Sequence, residues 1–285
     1  MWKKILSFVI SVILIIAPIL GVQILLQEFS SVTSQNLTIY ILACVIYALV
    51  SSIILYFVLN KYLPNALLLG GAFLFLGGAI ATAAIALREP DMSPTVLQNT
   101  TKDHFRYLIL FLLTVITCYA FFQILKPLWN DLPNIHKWIL PIFILATIGF
   151  FYEFFHQYFF SDNLKKWIDT GKNAADFKSN YFDNFNTKTF GLGRFFQYLS
   201  IGWLGIILVR FNKIKKWSMV IFALLCTIGL FVGCRLVTID ATLVTKGEAF
   251  PKGWEILNLF VLPAAPFLIL YWTSISLLTK QAKLQ

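Results

Sequence analysis

An all-α, polytopic transmembrane helix bundle of about eight spans is the fold class that the sequence predicts, and three observations predict it. Eight stretches of mostly apolar residues recur along the 285-residue chain, each long enough to cross a hydrocarbon core of about 30 Å. Hydrophobic residues make up 59% of the composition and charged residues 13%, with a mean hydropathy of +0.77, which leaves a water-soluble domain too little polar surface. The ten-residue alternation of a membrane β-barrel does not occur, so a backbone in lipid has to satisfy its own hydrogen bonds as helices.

The spans fall at 5–26, 38–59, 66–87, 107–123, 138–160, 195–211, 217–238 and 256–278, and the whole of 1–285 reads as one integral membrane domain. The first follows Lys3 and Lys4 as a secretory signal would. Its apolar run exceeds the 7–15 residues of a signal core, and no small-x-small cleavage site follows, so a retained helix is expected. A tight turn at 60–65 leads to the third span, where Gly70 and Gly77, and Gly71 and Gly78, lie seven residues apart with Ala81 and Ala84 beyond. Positions seven apart share a helix face, and small residues there let neighbouring backbones approach closely. The fourth span carries no Pro pair of the kind found in the eighth.

The fifth span ends with the sharpest polar signal in the chain: Tyr152, Glu153, His156 and Gln157 within two turns. The segment 161–194 that follows reads as an amphipathic outer cap. Ser161, Asp162 and Asn163 supply an N-cap, Leu164, Trp167 and Ile168 share one face, and Gly171 is a stop. Phe177, Tyr181 and Phe185 then recur at i, i+4 and i+8. Both stretches are expected on the membrane surface with their aromatics at headgroup depth. Asp162, Asp169, Asp176 and Asp183 recur every seven residues, but Gly171 interrupts any helix that would align them, so they read as a solvated face.

The sixth span is the least regular, interrupted by Gln197, Gly202 and Gly205. The seventh places Arg235 in its last turn, just before Asp240. The eighth contains Pro263 and Pro266, which remove two backbone donors and should kink or unwind it.

Charge sets the expected orientation. With the N-terminus inside, the inner segments 1–4, 60–65, 124–137, 212–216 and 279–285 are short and basic, and Asp131 is their only carboxylate. The outer segments 27–37, 88–106, 161–194 and 239–255 hold eleven of the other carboxylates. Basic density near short loops predicts N-in and C-in. The net charge of +10 then reads as attraction to anionic headgroups of the bilayer on the cytoplasmic face, for instance at Lys213, Lys215 and Lys216, with no nucleic-acid partner. The start and compact helices suggest a bacterial cytoplasmic (inner) membrane.

Ionisable groups within spans are costly and should face the bundle interior, water or one another. Glu153 and His156 are therefore the catalytic candidates, and Arg235 and Asp240 the ligand-binding candidates, with Arg235 expected to pair with Glu153 or Asp240. No metal and no cofactor is expected. Glu153 and His156 supply half of a di-iron site without its partner motif, and His104 and His136 fall on opposite sides of the membrane. Cys44, Cys118, Cys226 and Cys234 show no C-x-x-C spacing and read as small apolar residues. Phosphate-loop and zinc-protease motifs do not occur.

Two functional expectations follow. The first is a non-enzymatic multi-pass protein: permease-like, a scaffold or an accessory subunit, with a membrane-protein partner. The alternative is a membrane enzyme acting on a lipid or lipid-linked substrate at the outer leaflet, with Glu153 or His156 as general base and Arg235 binding an anionic headgroup.

Overall fold

A computed structural model of the chain describes residues 65–86, 97, 100–262 and 265–281, with isolated helical positions between 38 and 53. The first predicted span, most of the second, Cys44 and Pro263 lie outside the described residues. Among those residues there is no strand; the structure is all-helical. We number the helices α1 (Asn65–Ala86), α2 (Thr100–Leu125), α3 (Ile139–Tyr158), α4 (Phe160–Asp169), α5 (Ala174–Tyr181), α6 (Asn184–Arg210), α7 (Lys216–Thr238), α8 (Ala241–Thr245) and α9 (Ala265–Gln281).

Four helical stretches are long and apolar enough to cross a membrane: Thr100–Asp131, Asn134–Asp169, Asn184–Arg210 and Lys216–Thr238. Thr100–Asp131, Asn134–Asp169 and Lys216–Thr238 each show an apolar face to their surroundings, whereas Asn184–Arg210 is the most enclosed of the four. On α2 this face is Leu108, Leu112, Val115, Tyr119 and Phe122, spaced alternately by four and three residues; on α7 it includes Val220, Leu224 and Phe231. Such stripes suit a membrane-embedded protein, since hydrocarbon solvates them and water does not.

Helices α1, α2, α3, α6 and α9 form a closed ring in that order, and α7 packs on the outside of α6. Glycine makes the tightest of these contacts. On α1, Gly70 and Gly77 face Ile124 and Leu113 of α2, whereas Gly71 and Gly78 face Leu278 and Tyr271 of α9. The seven-residue spacing thus serves two neighbours, one per face. Gly149 of α3 meets Gly193 of α6 so closely that a Cβ on the first would lie 2.6 Å from the Cα of the second. On the other side of α6, Gly191 and Gly233 oppose each other, and Gly229 receives the ring of Tyr198. The ring interior is filled by aromatics: Phe121 stacks on Phe143 at 3.8 Å, and Phe150 on Phe267 at 4.5 Å.

Local signals set the helix ends. The side chains of Asn173, Asp183 and Asp240 accept backbone N–H bonds at the starts of α5, α6 and α8. Gly171, with φ of +77°, closes α4, and Asn212, with φ of +56°, closes α6. The expected Ser161 cap is not used: α4 starts at Phe160 directly from α3, with no side-chain bond at its N-cap. The aromatics of 161–194 do not form two surface stripes either. Phe160, Leu164, Phe177 and Phe182 bury one another in a small core with Trp167 and Tyr181, while Phe185 falls in α6 and is exposed. Of the four periodic aspartates, Asp183 is a cap and Asp162 lies 3.2 Å from the His104 ring.

Candidate functional site

Helix α6 begins eleven residues before the predicted sixth span, at Asn184 rather than 195. Its first turns therefore carry Arg194 into the bundle, where the side chain is only 1% exposed. The Gly149–Gly193 contact brings α3 and α6 together at this level, so Arg194 meets Glu153, itself 4% exposed. Nη2 of Arg194 donates to Oε1 of Glu153 at 2.7 Å. Nη1 donates to Oε1 of Gln197, one turn along α6, at 2.6 Å. Nε donates to the backbone carbonyl of Val261 at 3.0 Å. Gln157 completes the group by donating from Nε2 to Glu153 at 3.2 Å.

The Val261 carbonyl is available because the eighth predicted span is broken. A 3-10 segment, Glu255–Phe260, precedes α9, and the Ala265 N–H bonds to Leu262 at 3.1 Å instead of reaching Val261. A carbonyl left without its helical partner in a dry interior is costly. Here α6 supplies the donors: Arg194 to Val261, and the Tyr198 hydroxyl to Phe260 at 2.9 Å. Interruption of the span and burial of an arginine opposite it thus offset one another.

The cluster lies against a cavity of about 200 Å³. Glu153, Gln157 and Arg194 line it together with Phe182, Phe190, Leu236, Val244 and Leu262, and Lys178 of α5 also borders it. Oε1 of Gln157 and Nε2 of Gln197 are buried without a hydrogen-bond partner among the described residues. Gln157 turns its amide nitrogen to the Glu153 carboxylate, so its amide oxygen points elsewhere. The result is a cavity with mainly apolar walls and a charge-compensated polar side.

Of the four residues singled out in the sequence, the structure places only Glu153 on this cavity. His156 turns its ring into an aromatic nest, 4.2 Å from Tyr181 and 5.2 Å from Phe182, and its backbone carbonyl accepts from the Tyr181 hydroxyl at 2.6 Å. Arg235 donates to the carbonyl of Ala249 at 3.3 Å. Asp240 is exposed and caps α8, and the Thr242 hydroxyl and N–H bound to its carboxylate hold that group below its usual range. The expected pairing of Arg235 with Glu153 is not formed, because α6 packs between α3 and α7 and its own arginine takes the carboxylate; nor is that with Asp240, since Arg235 turns to Ala249 and Asp240 to Thr242.

Arg194, Gln197 and the Val261 carbonyl were missed because a hydropathy window stops at a charge. The signal was present all the same: Arg194, Gln197, Tyr198 and Ile201 stand at i, i+3, i+4 and i+7, one face of a helix, directly after Gly193. The remaining histidines lie at opposite ends of the bundle. His104 contacts Ser161 and Asp162, whereas His136 accepts from the Trp203 indole at 3.0 Å beside Arg210. Among the described residues no three His, Cys, Asp or Glu side chains converge. No protein-family model, curated protein or solved structure matches the chain.

Proposed function

We propose that the chain is a non-enzymatic multi-pass protein of a bacterial cytoplasmic membrane, with eight spans and both termini inside, and that its bundle holds a small solute as a permease or the accessory subunit of one. The observation that carries this reading is the buried Glu153–Arg194 pair set against an interrupted span and bordering a cavity. Interrupted helices whose freed backbone groups meet polar side chains are a recurring way to build solute sites inside membranes. A general base needs a carboxylate ready to take a proton. Glu153 is instead engaged by a guanidinium and an amide, and His156 faces aromatic rings, which weighs against the lipid-processing enzyme. The orientation is supported by basic density: Lys126, Lys137, Arg210, Lys213 and Lys216 crowd short connections at one end, whereas the lysines at the other, among them Lys165, Lys166, Lys172 and Lys178, are spread over a longer segment.

The test has two arms. Purified protein is screened by thermal shift against small organic anions, zwitterions and polyols; a ligand that raises the melting temperature of the wild type but not of Gln157→Leu supports the reading. Turnover of an outer-leaflet lipid that stops in Glu153→Gln, with normal abundance, overturns it. In intact cells an impermeant maleimide should label Asp169→Cys, and should label Lys213→Cys only after permeabilisation. The opposite pattern overturns the orientation alone.

A further inference from the structure

A second cavity lies at the other end of the bundle and has no part in the site above. The segment 126–138 joining α2 to α3 is a 3-10 turn, Lys126–Asp131, with Pro127 at its start, followed by a single helical turn, Asn134–Lys137. Phe121 and Phe143 stack in parallel at the contact between the two helices, and a groove of about 330 Å³ runs along it.

The groove is polar at one end only. Cys118, Phe121, Leu125 and Phe143 line its length, while Lys126, Trp129 and Asn130 stand where apolar helix gives way to connecting loop. Phe122 and Leu140 border it and are 60% and 44% exposed, on the side where α2 turns its apolar stripe to the bilayer. The groove is therefore reached sideways from lipid. Its order of chemistry, from hydrocarbon through an indole to an ammonium, is that of a phospholipid lying across the interface. Among the described residues no ion pair to a carboxylate engages Lys126, and the surrounding end of the bundle is basic, so the complementary headgroup is an anionic one.

We infer that this groove holds one acyl chain of an anionic phospholipid, with Lys126 meeting the phosphate. Occupancy would fill the space between α2 and α3 and fix their splay. The inference stands on different residues from the solute cavity and holds whichever function that cavity serves.

The full-length protein is reconstituted in vesicles of phosphatidylcholine containing a minor fraction of phosphatidylglycerol, extracted gently and weighed intact by native mass spectrometry. The expected result is one retained phosphatidylglycerol per chain, in excess over its share of the vesicle. Lys126→Ala should weaken that retention about fivefold, the loss of one lysine–headgroup attraction, and leave phosphatidylcholine unaffected. Leu140→Trp fills the groove from its lipid-facing wall and should abolish retention, with an unchanged melting profile as the check on folding. Glycerol phosphate without acyl chains should not compete; if it does, the site is one for a free phosphate and the acyl-chain inference is overturned. Equal retention of both lipids, or unchanged retention in Lys126→Ala, overturns it as well, as does a second protein chain in place of lipid.

Discussion

Arg194→Met is the perturbation on which the reading of the buried cluster rests most directly. The wild-type guanidinium makes three donations, to Glu153, Gln197 and Val261. Removing it leaves two neutral acceptors buried, at about 1–3 kcal/mol each, and one unpaired carboxylate, at about 3–5 kcal/mol. The carboxylate has an escape, since neutralising a group of ordinary pKa near 4.3 at pH 7 costs about 3.7 kcal/mol, which caps its share. In a double-mutant cycle with Glu153→Gln the two neutral losses appear on both sides and cancel. The coupling energy that remains holds that capped share together with the cost of the guanidinium left unpaired in Glu153→Gln, itself about 3–5 kcal/mol, and should be above about 3 kcal/mol. It is measured from reversible unfolding in mixed micelles, titrated with a denaturing detergent at pH 7, for the wild type, both single variants and the double variant. A coupling under about 1 kcal/mol is the range of an exposed pair. That result would show that Arg194 and Glu153 do not meet inside the bundle, and the candidate site would go with it.

Gly149→Ala places a Cβ 2.6 Å from the Cα of Gly193, so the helices must part; a loss of about 1–3 kcal/mol is expected in the same unfolding assay, and a neutral outcome would mean that α3 and α6 are not in backbone contact. Tyr198→Phe removes the donor to the Phe260 carbonyl and should cost about 1–3 kcal/mol; no loss would mean that the broken span does not depend on α6. Thr242→Val should raise the Asp240 carboxyl toward its ordinary value, read by NMR titration, because Thr242 supplies the bonds that depress it. A depressed folded-state value means that this cap contributes stability above the ordinary value near 3.8, and the contribution is lost as pH falls through the folded-state value. An unmoved Asp240 titration in Thr242→Val would refute the part given to the Thr242 hydroxyl, since the capping N–H is kept in the variant.

The helices were legible where hydropathy and small residues decide them. Gly70, Gly71, Gly77 and Gly78 sit on the two faces their spacing predicts, and Gly171 ends a helix as its left-handed φ allows. Boundaries failed where a helix continues through polar residues. α2 begins at Thr100, seven residues before its predicted span, and carries buried Lys102 and Asp103; α6 begins at Asn184 and carries Arg194. A window that averages along the chain cannot register a charge whose partner lies on another helix. Glu153 was found because it interrupts an apolar run. Its partner was not, since which helix packs beside α3 depends on backbone contact at Gly149 and Gly193, a property of two segments at once. The eighth span shows the converse: Pro263 and Pro266 announced a break, but not that the Val261 carbonyl would be handed to an arginine.

The same ion pair bears on how the chain enters the bilayer during synthesis. Of the four long helices, Asn184–Arg210 has the lowest mean hydropathy over its best window, 1.5 against 1.8 for the preceding span and 2.4 for the other two. An arginine near the middle of a helix opposes insertion by about 2.5–3.5 kcal/mol. α3 is made first and carries the counter-charge, so α6 gains a partner only if α3 is still beside it when it leaves the insertion machinery. Entry as a hairpin would meet this requirement, with the small α4 and α5 as the tether that keeps α3 within reach; a chain divided between them would be expected to leave its second half poorly inserted.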